Sequence, residues 1–199
     1  MMATSPDVFA NVQSDRQDAA LDLDSSLIQH CLQGDRHSFR QLYRRHQQRV
    51  RSILYQLCGA ACLDDLVQDV FFKAWKGLPH LQQTAKFSTW LYRIAWNVAS
   101  DQRKALAKGR LHLQQVAHHT PTHHSDPTLL HLHYQDLVQR GLDHLSFEHR
   151  TVLILHDLQE MPQKEVATIL RIPIGTVKSR LFHARAAIRQ FLQQQGVHL

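Results

Sequence analysis

At 199 residues the chain suits one or two domains, and 43% hydrophobic residues are enough for packed cores. No run of about 18 apolar residues occurs, the start lacks a charged and then apolar secretory pattern, and three cysteines make no disulfide framework, so a reducing cytoplasm fits. The net charge of +6 is uneven: residues 1–30 are −4, with five Asp against one Arg, which leaves +10 on a body that favours nucleic acid over membrane.

Residues 1–23 are polar, acidic and aperiodic, and read as a disordered tail. Asp24 or Ser25 then caps a short helix carrying Leu27, Ile28, Cys31 and Leu32, ended by Gly34. Asp35 or Ser38 starts a longer one. Its stripe is Phe39, Leu42, Tyr43, Val50, Ile53, Leu54 and Leu57, and Gly59 closes it. Cys58 and Cys62 would share a helix face only if that helix passed Gly59, so they read as buried or idle thiols.

Leu63–Trp75 carries a nearly unbroken stripe of Leu63, Leu66, Val67, Val70, Phe71, Ala74 and Trp75. Asp64, Asp65, Gln68 and Asp69 make its N-terminal half acidic, a local reversal of sign in a basic body. Carboxylates there suit the helix dipole, and they also suit a basic docking partner. Gly77 and Pro79 end the helix, and Leu78–Ala85 is expected as a loop.

Lys86–Lys104 follows, with Phe87, Trp90, Leu91, Ile94, Ala95 and Val98 on one face of an amphipathic helix. Tyr92 and Trp96, one turn apart, are expected on the outer face beside Arg93 and Asn97. Rings beside a cation and an amide are what an unstacked base needs: a surface to stack on, and groups for its edge and phosphate.

From about Ala105 the pattern fades, and residues 107–128 read as a flexible linker. Its His112, His118, His119, His123 and His124 have no diagnostic ligand spacing, so no metal is expected. Leu129–Leu145 returns to helix with Leu130, Leu137, Val138 and Leu142. Ser146 caps a helix over Phe147–Leu158, and Pro162 opens a short one with Val166, Ala167, Ile169 and Leu170. After the turn Arg171–Gly175, a last helix runs from Thr176 to about Gln194, with Val177, Leu181, Ala184, Ile188 and Phe191 inward.

Two short helices joined by a tight turn, the second basic on its free side, read as a helix-turn-helix at about 163–182. Ser179, Phe182 and His183 occupy the free face, flanked by Lys178, Arg180 and Arg189. Short polar and aromatic residues suit base edges, and flanking cations suit phosphates.

Three strings now resemble the sigma-70 family of bacterial RNA polymerase sigma factors, of the small extracytoplasmic-function (ECF) type. DDLVQDVFFKAW (64–75) is similar to the family's core-binding helix. FSTWLYRIAWNVASDQRK (87–104) is similar to its minus-ten helix, and PQKEVATILRIPIGTVKSRLFHARAAI (162–188) to its C-terminal helix-turn-helix. The resemblance covers roughly residues 24–195 and implies an all-α chain of two small helical domains. Region 2 would occupy 24–106, followed by the linker 107–128 and region 4 at 129–195. By this resemblance, Asp65, Gln68 and Asp69 face the clamp helices of the polymerase's largest subunit. Tyr92, Arg93, Trp96 and Asn97 capture the minus-ten strand. Lys178, Ser179, Arg180, Phe182 and His183 read the minus-thirty-five duplex. Apolar surface of Phe147–Leu158 and the last helix would meet the flap of the second-largest subunit. The chain departs from the pattern at Trp96, where a small or basic residue is commoner, and at His183, commonly Arg.

The implied partners are core RNA polymerase and promoter DNA, with an anti-sigma factor as a further candidate and no membrane insertion. No cofactor is implied. The alternative is a helix-turn-helix regulator that binds duplex without being a polymerase subunit. An enzyme is not expected, since the chain has no metal-spaced carboxylates, nucleophile set or glycine-rich phosphate loop.

Overall fold

The computed structural model describes the backbone of residues 23–81, 86–112 and 129–197, and the side chains of all these except 108–112 and 129–135. The expectations for the tail at 1–22, the loop at 82–85, the histidine-rich segment 113–128 and the Leu130 side chain lie outside these residues.

Among the described residues the regular structure is all helical. A short α1 spans 23–32. It turns through Gly34 at φ 95° into α2, Arg36–Cys58. Asp35 caps α2 by accepting from the His37 and Ser38 amides at 2.8 and 3.3 Å. Gly59 stops it at φ 79°, where a residue with a Cβ would be strained. Cys58 is thus the last residue of α2, and Cys62 lies outside it in the left-handed region.

Next come α3, Leu63–Gly77, a 3₁₀ turn over Leu78–His80, and α4, Phe87–His112. The α4 helix continues past the point where apolar periodicity fades, into residues read from sequence as linker. The second half comprises α5 (Leu129–Asp143), α6 (Phe147–Leu153), α7 (Gln163–Leu170) and α8 (Ile174–Gln194). Ser146 caps α6 through the His149 amide at 3.3 Å. The α6 helix does not run on regularly to Leu158. Ile154–Leu158 widens into a π-helical turn, a feature often found where helices meet a functional surface.

The first half packs α4 against both α2 and α3; in the second, α8 packs on α5, α6 and α7. The halves share one buried apolar cluster containing Leu54, Leu91, Val166 and Ile169, because α7 lies against α4 and the π-turn against α2.

Asp24 departs from its expected place as a cap. It lies within α1, buried, with Arg45 Nε at 2.8 Å from Oδ1 and His46 Nε2 at 2.8 Å from Oδ2. Burial pushes the Asp24 carboxyl up. Its hydrogen bond to His46 and the charges of His46 and Arg45 outweigh burial, so it titrates below its usual value of 3.8. A depressed carboxylate contributes stability that is present above the unfolded pKa and is lost as pH falls through the folded one. Asp24→Ala is therefore expected to lower unfolding free energy by about 1–3 kcal/mol near neutral pH, chiefly by leaving the buried His46 nitrogen unpaired. Urea melts across a pH series should show the gap to the parent narrowing below about pH 4. A gap that widens on acidification would refute this account.

Candidate nucleic-acid interface

The sharpest outward face is on α8. Val177, Leu181 and Ala184 are buried, which fixes the rotation of the helix and sends the residues between them outward. Lys178, Ser179 and His183 are exposed, Arg180 is half-buried, and Phe182 is 70% exposed. A phenylalanine that open adds little to the core and leaves its ring available to a partner on this face. Ser179 Oγ donates to the Thr176 carbonyl at 3.1 Å, an intrahelical bond that leaves its oxygen able to accept. His183 lies with its ring 5.4 Å from Phe182 and 6.0 Å from His149.

The turn that aims α8 is tight. Arg171 closes α7 in the left-handed region at φ 55°, and Pro173 precedes α8. Arg185 then ties α8 to the π-turn through a two-pronged pair with Asp157 at 2.9 and 2.6 Å, which raises its pKa further. The five residues predicted for duplex reading are thus brought together on one helix surface.

On α3, Asp65 and Gln68 are exposed and Asp69 is half-buried. Asp69 pairs with Lys73 at 2.8 Å, and Asp64 with Arg51. The acidic face is thus partly neutralised by its own neighbours. Beside it, Phe72 is exposed, with the Lys76 ammonium 4.2 Å from its ring centre.

The α4 face differs from the sequence reading. Tyr92 is not on the outside. It is only 3% exposed, its ring 6.4 Å from His46 and 5.6 Å from the Arg49 guanidinium. Burial pushes its phenol pKa up. Trp96 is half-buried and packs against the core, and Asn97 alone of the four is exposed. Tyr92 turns toward His46 and Arg49 of α2, and Arg93 toward α7, a third helix packed on α4 besides α2 and α3. Arg93 is half-buried and spent on α7: its Nε donates to the Ile169 carbonyl at 3.3 Å and its Nη2 to the Thr168 carbonyl at 2.5 Å. Burial, and then the charge of Arg171, lower its pKa. Thr89, Glu165, Arg49 and Gln159 also belong to this contact and were invisible to helical periodicity. Polar contacts between residues 76 and 110 positions apart leave no mark on a local pattern.

Among the described residues no group of three or more His, Cys, Asp or Glu could hold a metal ion. No helix among them is long and apolar enough to cross a membrane.

Fold and faces together define an all-helical protein with a helix-turn-helix at its C-terminal end. The family model for Sigma-70 region 2 matches residues 42–109, and that for Sigma-70 region 4 matches residues 135–188. The ECF RNA polymerase sigma-E factor of Haemophilus influenzae is 28% identical over 180 residues, covering 85% of this chain and 95% of that protein. The ECF RNA polymerase sigma-E factor of Escherichia coli K12 is 29% identical over 182 residues, covering 85% and 94%. The solved structure of CnrH in complex with the cytosolic domain of CnrY is similar with a TM-score of 0.68 at 25% identity, over 86% of this chain and 98% of that one. The sigma factor RpoE of Bartonella quintana, solved with the anti-sigma factor NepR, gives 0.63 at 25% identity over 78% and 96%. The chain belongs to the sigma-70 family of RNA polymerase sigma factors, of the ECF type. It is a polymerase-binding, promoter-recognising transcription initiation factor.

Proposed function

We propose that the three faces divide the work of initiation among named residues. Lys178, Ser179, Arg180, Phe182 and His183 read the minus-thirty-five duplex in the major groove. Phe182 supplies apolar contact, Ser179 a short polar group for a base edge, and the cations hold phosphates. Asp65, Gln68 and Asp69 dock on the clamp helices of the largest polymerase subunit, and apolar surface of the second half meets the flap. Arg93, Asn97, Trp96 and Tyr92 take the minus-ten strand once α4 is uncovered. The observation that carries this reading is the α8 face, where a wide-open phenylalanine sits among exposed polar and cationic side chains on a rigidly rotated helix.

The protein makes and breaks no bond in this scheme. Opening a duplex costs a few kcal/mol per base, and stacking a freed base on an aromatic side chain returns about 1–3 kcal/mol. Capture of one or two bases is enough to set where melting begins. The cytoplasm, where polymerase and promoter are, is the site of action. One similar structure holds the anti-sigma factor NepR and another the cytosolic domain of CnrY, and we propose that this chain is held by an anti-sigma partner as well. The regulator reading, duplex binding without polymerase, leaves the region 2 match without a use.

Purified protein added to bacterial core polymerase is expected to start run-off transcripts from a small set of genomic fragments. Failure both to bind core and to support any transcript would overturn the proposal.

A further inference from the structure

Where α2 ends beside α6, a buried donor has nothing to donate to. Arg150, on α6, is 9% exposed. Its Nη1 lies 2.8 Å from Asp143 Oδ1 and 3.5 Å from the Leu57 carbonyl. Its Nε is sealed from solvent and has no hydrogen-bond partner, alone in this among the buried side-chain nitrogens and oxygens of the described residues. A donor left so is costly, and an oxygen placed beside it would remove the cost. Cys58, which follows Leu57 as the last residue of α2, is half-buried here. The charge of Arg150, and then that of Arg103 on α4, acts on its thiol. Arg103 is exposed, with its guanidinium 5.0 Å from the Phe147 ring centre.

We propose that Cys58 is an oxidation site, where hydrogen peroxide converts the thiol to a sulfinate held by Arg150 and Arg103. A thiol matches its surroundings poorly, because its sulfur is only a weak acceptor for a guanidinium. A sulfinate offers two anionic oxygens, and charge-assisted bonds from N–H groups to such oxygens are the strong ones. Two guanidiniums here face one carboxylate, Asp143, and a sulfinate cancels the positive charge left over. The carbonyl end of α2 disfavours an anion by itself. The arginines are therefore what makes the oxidised form tenable at this position.

The Cys58 thiolate attacks one oxygen of peroxide. A sulfur–oxygen bond forms, the oxygen–oxygen bond breaks, and the other oxygen leaves as hydroxide and takes up a proton to become water. Sulfur gives up two electrons, which the peroxide accepts, and Cys58 becomes a sulfenic acid. Beside the two arginines that acid releases its proton to solvent. The sulfenate attacks a second peroxide in the same way, giving the sulfinate and a second water. A neutral sulfenic acid is instead open to a neighbouring thiol such as the exposed Cys62, with loss of water and formation of a disulfide. Holding the sulfenate as an anion favours the second peroxide over Cys62. Burial pushes the Cys58 thiol up by more than Arg150 and Arg103 pull it down. Thiolate is therefore scarce at neutral pH, so the reaction needs excess peroxide and speeds up as pH rises.

The test treats the full chain with excess hydrogen peroxide at pH 8, quenches with catalase, blocks remaining thiols with iodoacetamide and reads each cysteine by peptide mass spectrometry. The buried Cys31, its thiol pushed up to about 11, is the unreactive reference. Exposure alone would make Cys62 the main target. The proposal instead expects Cys58 to carry at least about three times the sulfinate found on Cys62. Arg150→Lys keeps a charge beside Asp143 but lacks Nε, and should lower the Cys58 sulfinate at least about five-fold. Arg103→Gln alters an exposed side chain that the fold tolerates, and should lower it at least about two-fold, with more disulfide between Cys58 and Cys62. As much sulfinate on Cys62 as on Cys58, or that disulfide as the main product in the parent, would overturn the site. Cys58 sulfinate undiminished in Arg103→Gln would overturn the part given to the arginines. Repeating the parent at pH 7 should slow its formation, and an equal or faster rate there would refute attack by the thiolate.

Discussion

Replacing Lys178 and Ser179 together with alanine is expected to weaken specific binding of the upstream promoter duplex by roughly 30–150-fold, about 2–3 kcal/mol. Each well-placed contact to a base edge discriminates by about 1–3 kcal/mol, and a lysine on a phosphate adds a salt-dependent share. The fold should not notice. Both side chains are exposed, alanine is a good helix former, and Ser179 gives up only a bond to its own helix at Thr176. Holoenzyme assembled with the variant should therefore form at the parent's affinity for core polymerase. It should lose transcription from promoters that depend on the upstream element. The salt slope of duplex binding should also flatten by about one unit, the signature of one lost phosphate contact. Mobility shifts with holoenzyme at two salt concentrations would read this. Equal loss of core binding and promoter binding would instead mean that the two residues support the fold, and the assigned role would go.

Helix positions and caps in this chain follow from local chemistry, and the sequence reveals them for that reason. Asp35 and Ser146 accept amides that no helix can satisfy for itself, and Gly59 takes a φ that a Cβ would oppose. The α8 face was legible too: Val177, Leu181 and Ala184 recur at helical steps, which leaves Ser179, Phe182 and His183 outside. The α4 face was not. A stripe says which residues are apolar, not how many neighbours a helix has. Tyr92 is amphipathic and can lie on either side of such a boundary. It went inward against His46 and Arg49 of α2, while α7, some 75 residues later, takes Arg93 as a cap. The π-turn at Ile154–Leu158 also escaped, since an uninterrupted apolar run reads the same in an α or a π register. Asp24 looked like a cap by type and position. What it does is set by Arg45 and His46, which nothing in the α1 segment announces.

Leu91→Ala should be the most damaging single truncation in the shared core. Leu91 is fully buried on α4, the helix that packs on α2, α3 and α7 alike. Removing its branched end loses transfer free energy and leaves a cavity that three helices cannot all close at once, a cost of about 2–5 kcal/mol. Against a total of about 5–15 kcal/mol that is a large share. At about 2–4 °C per kcal/mol for a chain of this size, the melting temperature should fall by about 5–20 °C. Leu106→Ala on the same helix is the control. Leu106 is 50% exposed, and its loss should stay within about 0.5 kcal/mol. Because Leu91 and Ile169 lie in one cluster, the halves should melt together, and Leu91→Ala should shift the whole transition without splitting it. Thermal melts followed by far-ultraviolet circular dichroism and by tryptophan fluorescence test this. Trp75, Trp90 and Trp96 all belong to the first half, whereas circular dichroism sees every helix. Two probes that part company in the parent would show that the halves fold independently. The packed arrangement would then hold them together without making them one cooperative unit, and Leu91→Ala would move only the fluorescence transition.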